Sequence, residues 1–139
     1  MAACAFCDIV AGRSPAAMIL DESEVLAFLD VRPLFAGHAL VVPRRHHATL
    51  ADLPAELVPV LFDAVQRLSV AVPAAMAAAG SFVALNNVVS QSVPHLHVHV
   101  VPRTRGDGLR GFFWPRTCYA SGEHLAATAG SIRTALAAG

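Results

Sequence analysis

Short apolar runs bounded by polar or turn-forming residues recur through the first hundred residues and predict strands. Five such runs cover residues 18–20, 25–30, 39–42, 81–85 and 95–101. They are rich in Val, Leu, Ile and Phe, as strands generally are. Because residues 21–24 form a polar turn between the first two runs, we predict a hairpin there.

A helical period fills much of the long segment between the third and fourth runs. Its apolar positions, spaced by three and four residues, are Leu57, Val60, Leu61, Ala64, Leu68 and Ala71. This spacing predicts a stripe that faces a core. We predict that the helix begins after Asp52 as its N-cap, with Pro54 in the first turn, and ends at Gly80. Pro59 and Pro73 should kink it or cost backbone hydrogen bonds.

A second helix is predicted from Ser121 towards the C-terminus. Its apolar face consists of Leu125, Ala129, Ile132 and Leu136. Strands in succession around one internal helix are typical of an α+β fold with a mainly antiparallel sheet. A length of 139 residues predicts a single domain, 1–139.

Composition narrows the classes of function. The chain is 55% hydrophobic with a mean hydropathy of +0.55, which argues against disorder. Ten arginines balance ten acids and lysine is absent, so a Walker-type or Schiff-base lysine is excluded and no nucleic-acid partner is expected. Residues 68–102 lack charge, but Pro73, Gly80 and polar residues interrupt them, so no membrane span is predicted. An odd count of three cysteines and no visible signal peptide predict a reducing, cytoplasmic location.

Three histidines in strict alternation are the most informative feature. His95, His97 and His99 share one face of the last predicted strand, and the aliphatic residues between them share the other. Folding does not explain three imidazoles on one face, whereas chemistry near neutral pH does. Either they form an open tris-histidine metal site, or one imidazole is a nucleophile that its neighbours assist.

The residues before this strand favour the nucleophile. Residues 91–94 supply amide and hydroxyl groups, and Asn86 and Asn87 close the preceding strand. Neutral hydrogen-bonding groups suit an anion whose charge redistributes during reaction. The tris-histidine metalloenzyme remains the alternative.

Residues 91–101, Gln-Ser-Val-Pro-His-Leu-His-Val-His-Val-Val, resemble the signature of the histidine triad (HIT) family of nucleotide hydrolases and transferases. Residues 4–12, 25–30 and 37–46 resemble other segments of that family, in the same order. The resemblance implies an α+β, HIT-like fold: about five mainly antiparallel strands, one long central helix, and short N- and C-terminal helices. It also implies a homodimer, with the variable C-terminal tail 103–139 at the dimer interface or at the lip of the substrate site.

The resemblance further implies a purine nucleotide, with adenine as the expected base, or a dinucleoside polyphosphate as substrate. His97 would attack the α-phosphorus and become nucleotidylated, while His99 would bond phosphate oxygens and the leaving group. Gln91 and Ser92 would hold phosphate and leaving group, and Asn86 would contact phosphate or ribose. No organic cofactor is implied. The sequence leaves open a phosphorylase or nucleotidyl transferase of the same family, and a nucleotide-binding regulatory module with little turnover.

Asp30 would accept hydrogen bonds from the ribose hydroxyls in such a site. Taken alone, an acid at the end of a strand is more often an exposed residue or a turn former. The residues that the resemblance places around the base are Phe6, Ile9, Phe28 and Val31.

The Cys4-x-x-Cys7 pair is by itself compatible with zinc, with redox chemistry or with neither. The resemblance implies a structural Zn²⁺ held by Cys4, Cys7, His46 and His95. Two thiolates and two imidazoles make a closed tetrahedral site of the structural kind. His47 is expected at the surface.

Residues 103–116 combine four arginines with Phe112, Phe113 and Trp114. They are explained equally well as a surface loop with an aromatic anchor and as a lip for the second half of a dinucleotide.

Overall fold

The computed structural model describes residues 3–109 and 117–139, which divide into two compact units between Asp107 and Gly108. The first unit contains α1 (Ala5–Val10), β1 (Met18–Asp21), β2 (Val25–Leu29), β3 (Ala39–Pro43), α2 (Val58–Ala75), β4 (Gly80–Ala84) and β5 (Val98–Arg103). Two short 3-10 helices, Leu50–Asp52 and Ala55–Leu57, precede α2. The second unit contains α3 (Gly122–Ala138).

The five strands form one antiparallel sheet in the order β1-β2-β3-β5-β4. This confirms the predicted α+β fold and the hairpin of β1 and β2. The C-terminal helix is longer than expected, with 17 residues against 18 in α2. It begins where the pattern placed it, because the Ser121 hydroxyl accepts the His124 N–H as an N-cap.

Both faces of the sheet are buried at its three central strands, which explains why β2, β3 and β5 are almost continuously apolar. Alternate residues of β2, β3 and β5 pack against α2 on one face; in the middle of the sheet these are Val25, Ala27, Ala39, Val41, Val98 and Val100. The residues between them pack against α1 on the other face, as Leu26, Phe28, Leu40 and Val42 do around Phe6. The α1 face also carries the functional side chains described below.

The start of α2 differs from the prediction. Asp52 does not cap it: its carboxylate accepts the Thr49 N–H and hydroxyl at 2.9 and 2.7 Å and caps the first 3-10 helix instead. The α-helix begins at Val58, which places Pro59 in the first turn, where a missing N–H costs nothing. Pro73 lies near the C-terminus, and the helix ends at Ala75 rather than at Gly80, which opens β4.

The buried stripe of α2 is also rotated from the predicted one. It consists of Leu61, Ala64, Val65, Leu68 and Val72. Val60 and Ala71 are exposed, because the sheet covers a narrower arc of the helix than the apolar residues occupy. The stretch Ala55–Ala75 is long and apolar enough to cross a membrane by length and composition, a test that core helices also pass.

Candidate functional site

The histidine segment is only partly strand. β5 begins at Val98, so His95 and His97 precede the ladder, contrary to the predicted strand. Their backbone is held elsewhere, since the His95 N–H bonds the Val93 carbonyl at 2.8 Å and the Leu96 N–H bonds the His47 carbonyl at 2.7 Å. The histidines and the aliphatic residues still lie on opposite faces, as expected. Leu96 is fully buried in the core against α2, whereas His97 and His99 lie on the other face with ring centroids 5.0 Å apart.

A backbone carbonyl fixes the tautomer of His97, which lines the cavity described below. Its Nδ1 lies 2.7 Å from the His95 carbonyl oxygen. A carbonyl can only accept, so Nδ1 carries a proton, and in the neutral ring Nε2 keeps its lone pair. The ring is 3% exposed and packs edge-on against Phe6, with centroids 5.1 Å apart. This is the tautomer that a nucleophilic imidazole needs.

His99 is fixed in the opposite tautomer by a chain of two hydrogen bonds. The Leu34 N–H donates to His38 Nδ1 at 3.1 Å, so His38 carries its proton on Nε2. That proton is donated to His99 Nδ1 at 2.9 Å, which leaves His99 with an N–H at Nε2. Burial lowers the pKa of His99 to about 4 and, by the same cause, lowers the pKa of His38. Near neutral pH, His99 therefore offers a hydrogen-bond donor and no positive charge.

The loop between β2 and β3 brings Asp30 to the same place. The Asp30 N–H bonds the His38 carbonyl at 2.9 Å and closes the loop. Gly37 makes this closure possible: its φ is +94°, and a Cβ there would lie 2.6 Å from the Met76 Cγ. The Asp30 carboxylate accepts the Arg32 backbone N–H at 2.9 Å and lies 3.8 Å from His38 Nε2. Asp30 thus shapes the turn while it also faces the histidines.

A cavity of about 540 Å³ opens at this cluster, on the α1 face of the sheet. The predicted site residues that line it are Phe6, Ile9, Phe28, Asp30, Val31, Ser92, His97 and His99. Its apolar wall includes the edge-on pair of Phe6 and Phe28, with ring centroids 5.4 Å apart. Polar groups stand at one side of an apolar slot, an arrangement that suits a flat base joined to a polar sugar and phosphate.

Asn86 and Gln91, which were predicted to contact phosphate, do not line the cavity. The Asn86 amide donates to the Ser90 carbonyl at 3.2 Å. The Gln91 side chain accepts the Val88 N–H and donates to the Ala48 carbonyl at 2.6 Å, so both of its ends bind backbone. These bonds hold a short loop in which Val88 and Ser90 have φ values of +67° and +61°. A positive φ is strained for a β-branched residue such as Val88.

Four candidate metal ligands converge beside the histidine segment. Cys4, Cys7, His46 and His95 each direct one ligand atom within 4.8 Å of all the others. His95 Nδ1 lies 3.5 and 3.6 Å from the sulfurs of Cys4 and Cys7, and His46 Nδ1 lies 3.4 Å from the Cys7 sulfur. A tetrahedral zinc with bonds of about 2.3 Å to sulfur and 2.0–2.1 Å to nitrogen has S···N edges of roughly 3.5 Å. The donors therefore fit zinc without rearrangement.

The tautomer of His95 agrees with that fit. Its Nε2 lies 2.9 Å from the Pro43 carbonyl and must donate to it, which leaves the Nδ1 lone pair facing the two sulfurs. Burial and the neighbouring Cys4 raise the pKa of the Cys7 thiol. His47, expected at the surface, is only partly exposed, and its Nε2 is buried without a hydrogen-bond partner among the described residues.

The triad does not form one ligand set. His95 belongs to the cysteine cluster, whereas His99 groups with Asp30 and His38, whose ligand atoms also lie within 4.8 Å of one another. In that second group the Leu34 N–H occupies His38 Nδ1, so His38 Nε2 carries a proton and has no lone pair for a metal. The structure therefore does not support the tris-histidine metal site.

Sequence reasoning overlooked two residues of this site. His38 is 4% exposed and fixes His99, and Arg32 lines the cavity. His38 lies two residues before Leu40, so the two side chains point to the same face of the sheet. Leu40 is the partner of His99 in the ladder between β3 and β5, which brings His38 to His99. That register cannot be read from the chain itself. Of the segment 103–116, the Arg103–Asp107 pair is described at 2.6 Å, while residues 110–116, with Phe112, Phe113 and Trp114, lie outside the described residues.

Comparison with known proteins gives the family. The model of the HIT domain matches residues 11–106. The chain belongs to the HIT family. An uncharacterized HIT-like protein of Mycobacterium tuberculosis is 40% identical over 108 residues, covering 76% of this chain and 75% of its own length.

Two further relatives of this HIT protein have named activities. An adenosine 5′-monophosphoramidase of Saccharomyces cerevisiae is 35% identical over 104 residues, 73% of this chain and 63% of its own. An adenylylsulfatase of Arabidopsis thaliana is 32% identical over 108 residues, 76% of this chain and 55% of its own.

Solved structures agree with this assignment. A HIT family protein of Bacillus subtilis superposes with a TM-score of 0.86 at 32% identity, covering 94% of this chain and 95% of that one. A zinc-bound histidine triad family protein of Mycobacterium smegmatis does so with a TM-score of 0.73 at 37% identity, covering 95% and 96%.

Proposed function

We propose that this HIT protein is a hydrolase that cleaves the bond between the α-phosphate of a purine nucleotide, most simply an adenine nucleotide, and its leaving group. The observation that carries the proposal is the hydrogen bond of 2.7 Å from His97 Nδ1 to the His95 carbonyl. In the neutral ring this bond leaves the lone pair on Nε2, in a buried side chain that lines a cavity suited to a nucleotide. Relatives named for phosphoramidase and sulfatase activities on adenosine nucleotides support the reaction class.

In the first step, His97 Nε2 attacks the α-phosphorus. The N–P bond forms with the lone pair of Nε2, and the bond from phosphorus to the leaving group breaks, its electron pair departing with that group. The proton stays on His97 Nδ1, and its hydrogen bond to the His95 carbonyl stabilises the positive charge that develops on the ring. His99 Nε2–H and the Ser92 hydroxyl donate to the phosphate oxygens or the leaving group.

In the second step, water attacks the phosphorus of the nucleotidyl-His97 intermediate. The P–O bond forms, the N–P bond breaks, and the water proton passes to solvent or phosphate, so that His97 returns to its starting tautomer. Asp30 holds the ribose hydroxyls through both steps, while Phe6, Phe28 and Ile9 enclose the base. If inorganic phosphate replaces water, the same intermediate yields the phosphorylase reaction.

We further propose that Cys4, Cys7, His46 and His95 hold a structural zinc. The S···N distances of 3.4 to 3.6 Å and the tautomer of His95 support this assignment. A zinc ion bound there would supply cross-linking of α1 to the sheet and no chemistry at phosphorus. A homodimer in a reducing, cytoplasmic compartment completes the proposal.

His97→Asn tests the function directly. Asn retains a polar side chain of similar reach but cannot form the N–P bond. Turnover of adenosine 5′-phosphoramidate should fall by at least about three orders of magnitude, while AMP should still bind because the rest of the cavity is unchanged. Acid-quenched wild-type reactions should show a nucleotidyl mass on the peptide bearing His97. Near wild-type turnover in His97→Asn, or an adduct on His95 or His99, would contradict the proposal.

A further inference from the structure

Few charged residues line the proposed nucleotide cavity. Of the described residues that line it, Asp30 is the sole acid and Arg32 the sole arginine. His99 is neutral near pH 7, because burial lowers its pKa to about 4. A substrate phosphate therefore has a single fixed positive charge available in the cavity wall, and Arg32 carries it.

The Arg32 guanidinium has no carboxylate partner among the described residues. Asp30 takes the backbone N–H of Arg32, at 2.9 Å, and not its side chain. Arg13, Arg44, Arg67 and Arg103 each form an ion pair with an acid. Of the described arginines that form none, Arg32 is the one that lines the cavity. An arginine that lines a cavity and is not neutralised by the protein is available to an anionic ligand.

The position of Arg32 indicates which part of a nucleotide it reaches. Arg32 is exposed at the mouth of the cavity, whereas His97, which faces the α-phosphorus in the proposed function, is 3% exposed at its floor. The Asp30 carboxylate lies 3.8 Å from His38 Nε2, and the same nitrogen of His38 is hydrogen-bonded to His99. Asp30 holds the ribose in the proposed function and accepts the Arg32 backbone N–H, so Arg32 lies at the ribose end of the cavity.

We propose that Arg32 is a specificity-determining residue that selects nucleotides carrying a second anionic group, phosphate or sulfate, in addition to the α-phosphate. This inference rests on the proposed function and names its substrate class. The second anion is borne either by the leaving group, as in adenylyl sulfate, or by the ribose, as in a 3′-phosphorylated nucleotide.

The kinetic arm of the test compares adenosine 5′-phosphosulfate with adenosine 5′-phosphoramidate. Arg32→Ala preserves the backbone N–H that Asp30 accepts, so the turn should remain intact. We expect the ratio of kcat/KM values, sulfate over amidate, to fall about tenfold, as for a lost hydrogen bond to a charged group. Arg32→Lys should restore part of the ratio. Arg105→Ala, at an exposed arginine beyond the far end of β5, should leave it unchanged.

The binding arm uses calorimetry with AMP and with adenosine 3′,5′-bisphosphate, and it needs no turnover. If the second anion lies on the ribose, Arg32→Ala weakens the bisphosphate about tenfold more than AMP. Equal effects on both substrates and on both ligands would overturn the role of Arg32. If neither substrate is turned over by the wild type, the proposed hydrolase fails, while the binding arm still decides whether Arg32 recognises a second anion.

Discussion

At the scale of single residues, four histidines of the site have different roles because their hydrogen-bond partners differ. His95 and His97 both bond backbone carbonyls, but through opposite ring nitrogens. His95 therefore directs Nδ1 towards the cysteines, and His97 directs Nε2 towards the cavity. The Leu34 N–H donates to His38 Nδ1, so His38 Nε2 is the donor in its hydrogen bond to His99 Nδ1. The chemistry available to each imidazole is decided by an acceptor or donor on the backbone.

Asp30→Asn is a test at this scale. Asn can still accept the Arg32 N–H that shapes the turn, but it lacks the charged acceptor for ribose hydroxyls. We expect kcat/KM for adenosine 5′-phosphoramidate to fall by roughly one to two orders of magnitude, the size of a lost charge-assisted hydrogen bond. The 2′,3′-dideoxy analogue serves as the control. An equal loss on that analogue would mean that Asp30 supports the fold and not the sugar.

At the scale of elements, α1 joins the candidate metal centre to the nucleotide cavity. The Cys4 sulfur caps the helix by accepting the Cys7 N–H. Phe6, between the two cysteines, packs edge-on against both His95 and His97, at 5.9 and 5.1 Å. A helix of six residues is too short to be stable alone, so its position depends on these contacts and on any metal that binds the thiolates.

Replacing Cys4 and Cys7 together by Ser should therefore loosen α1 without removing the nucleophile. We expect zinc content to fall to background and the free energy of unfolding to drop by about 2–4 kcal/mol. KM for the nucleotide should rise, because Phe6 and Ile9 line the cavity, and turnover should remain measurable. The measurements are metal analysis, denaturant unfolding and steady-state kinetics.

Cys118→Ser is the matched control, since that cysteine is exposed and lies outside the ligand cluster. Wild-type protein that contains no zinc after purification in metal-replete buffer would argue against the site. Complete loss of turnover in a folded Cys4→Ser, Cys7→Ser variant would instead give the metal a role in the reaction.

At the scale of the whole molecule, we place the contact of the proposed homodimer on α2 and β4. β4 is an edge strand of the sheet, and edge strands are usually covered or paired. Phe62 lies about 140° around the helix from Arg67, on the other flank of the buried stripe. Arg67 bonds Glu22 in the turn between β1 and β2, so the Phe62 flank lies towards β4. Exposed apolar side chains on that side support an interface there.

Phe62→Glu should weaken self-association by at least about tenfold, because it places an unpaired charge in an apolar interface. Sedimentation equilibrium measures this effect. Val60→Glu is the matched control: Val60 is 38% exposed against 36% for Phe62, but it lies on the Arg67 flank. A wild-type protein that is monomeric at micromolar concentration, or equal effects of the two changes, would exclude this surface.

Local pattern was sufficient for the existence of the strands and for the face that the three histidines share, but not for the bounds of α2. Adjacent residues of an extended chain point to opposite sides, so the alternation of His with Leu and Val already separates a core face from a chemical face. Short continuous apolar runs predicted all five strands, although β5 begins at Val98 and not at residue 95. The resemblance to HIT proteins added the identity of the residues around the nucleotide, and eight of them line one cavity.

What each side chain does there depended on contacts between distant segments. His38 reaches His99 across 61 residues because β3 lies beside β5, and Cys4 reaches His95 across 91 residues because α1 covers that face. The amides of Asn86 and Gln91 bind nearby backbone instead of facing the cavity, and Arg32 enters the cavity wall where no motif marked it. Tautomers, ligand sets and an unneutralised arginine follow from strand register and loop closure, which a one-dimensional pattern does not encode.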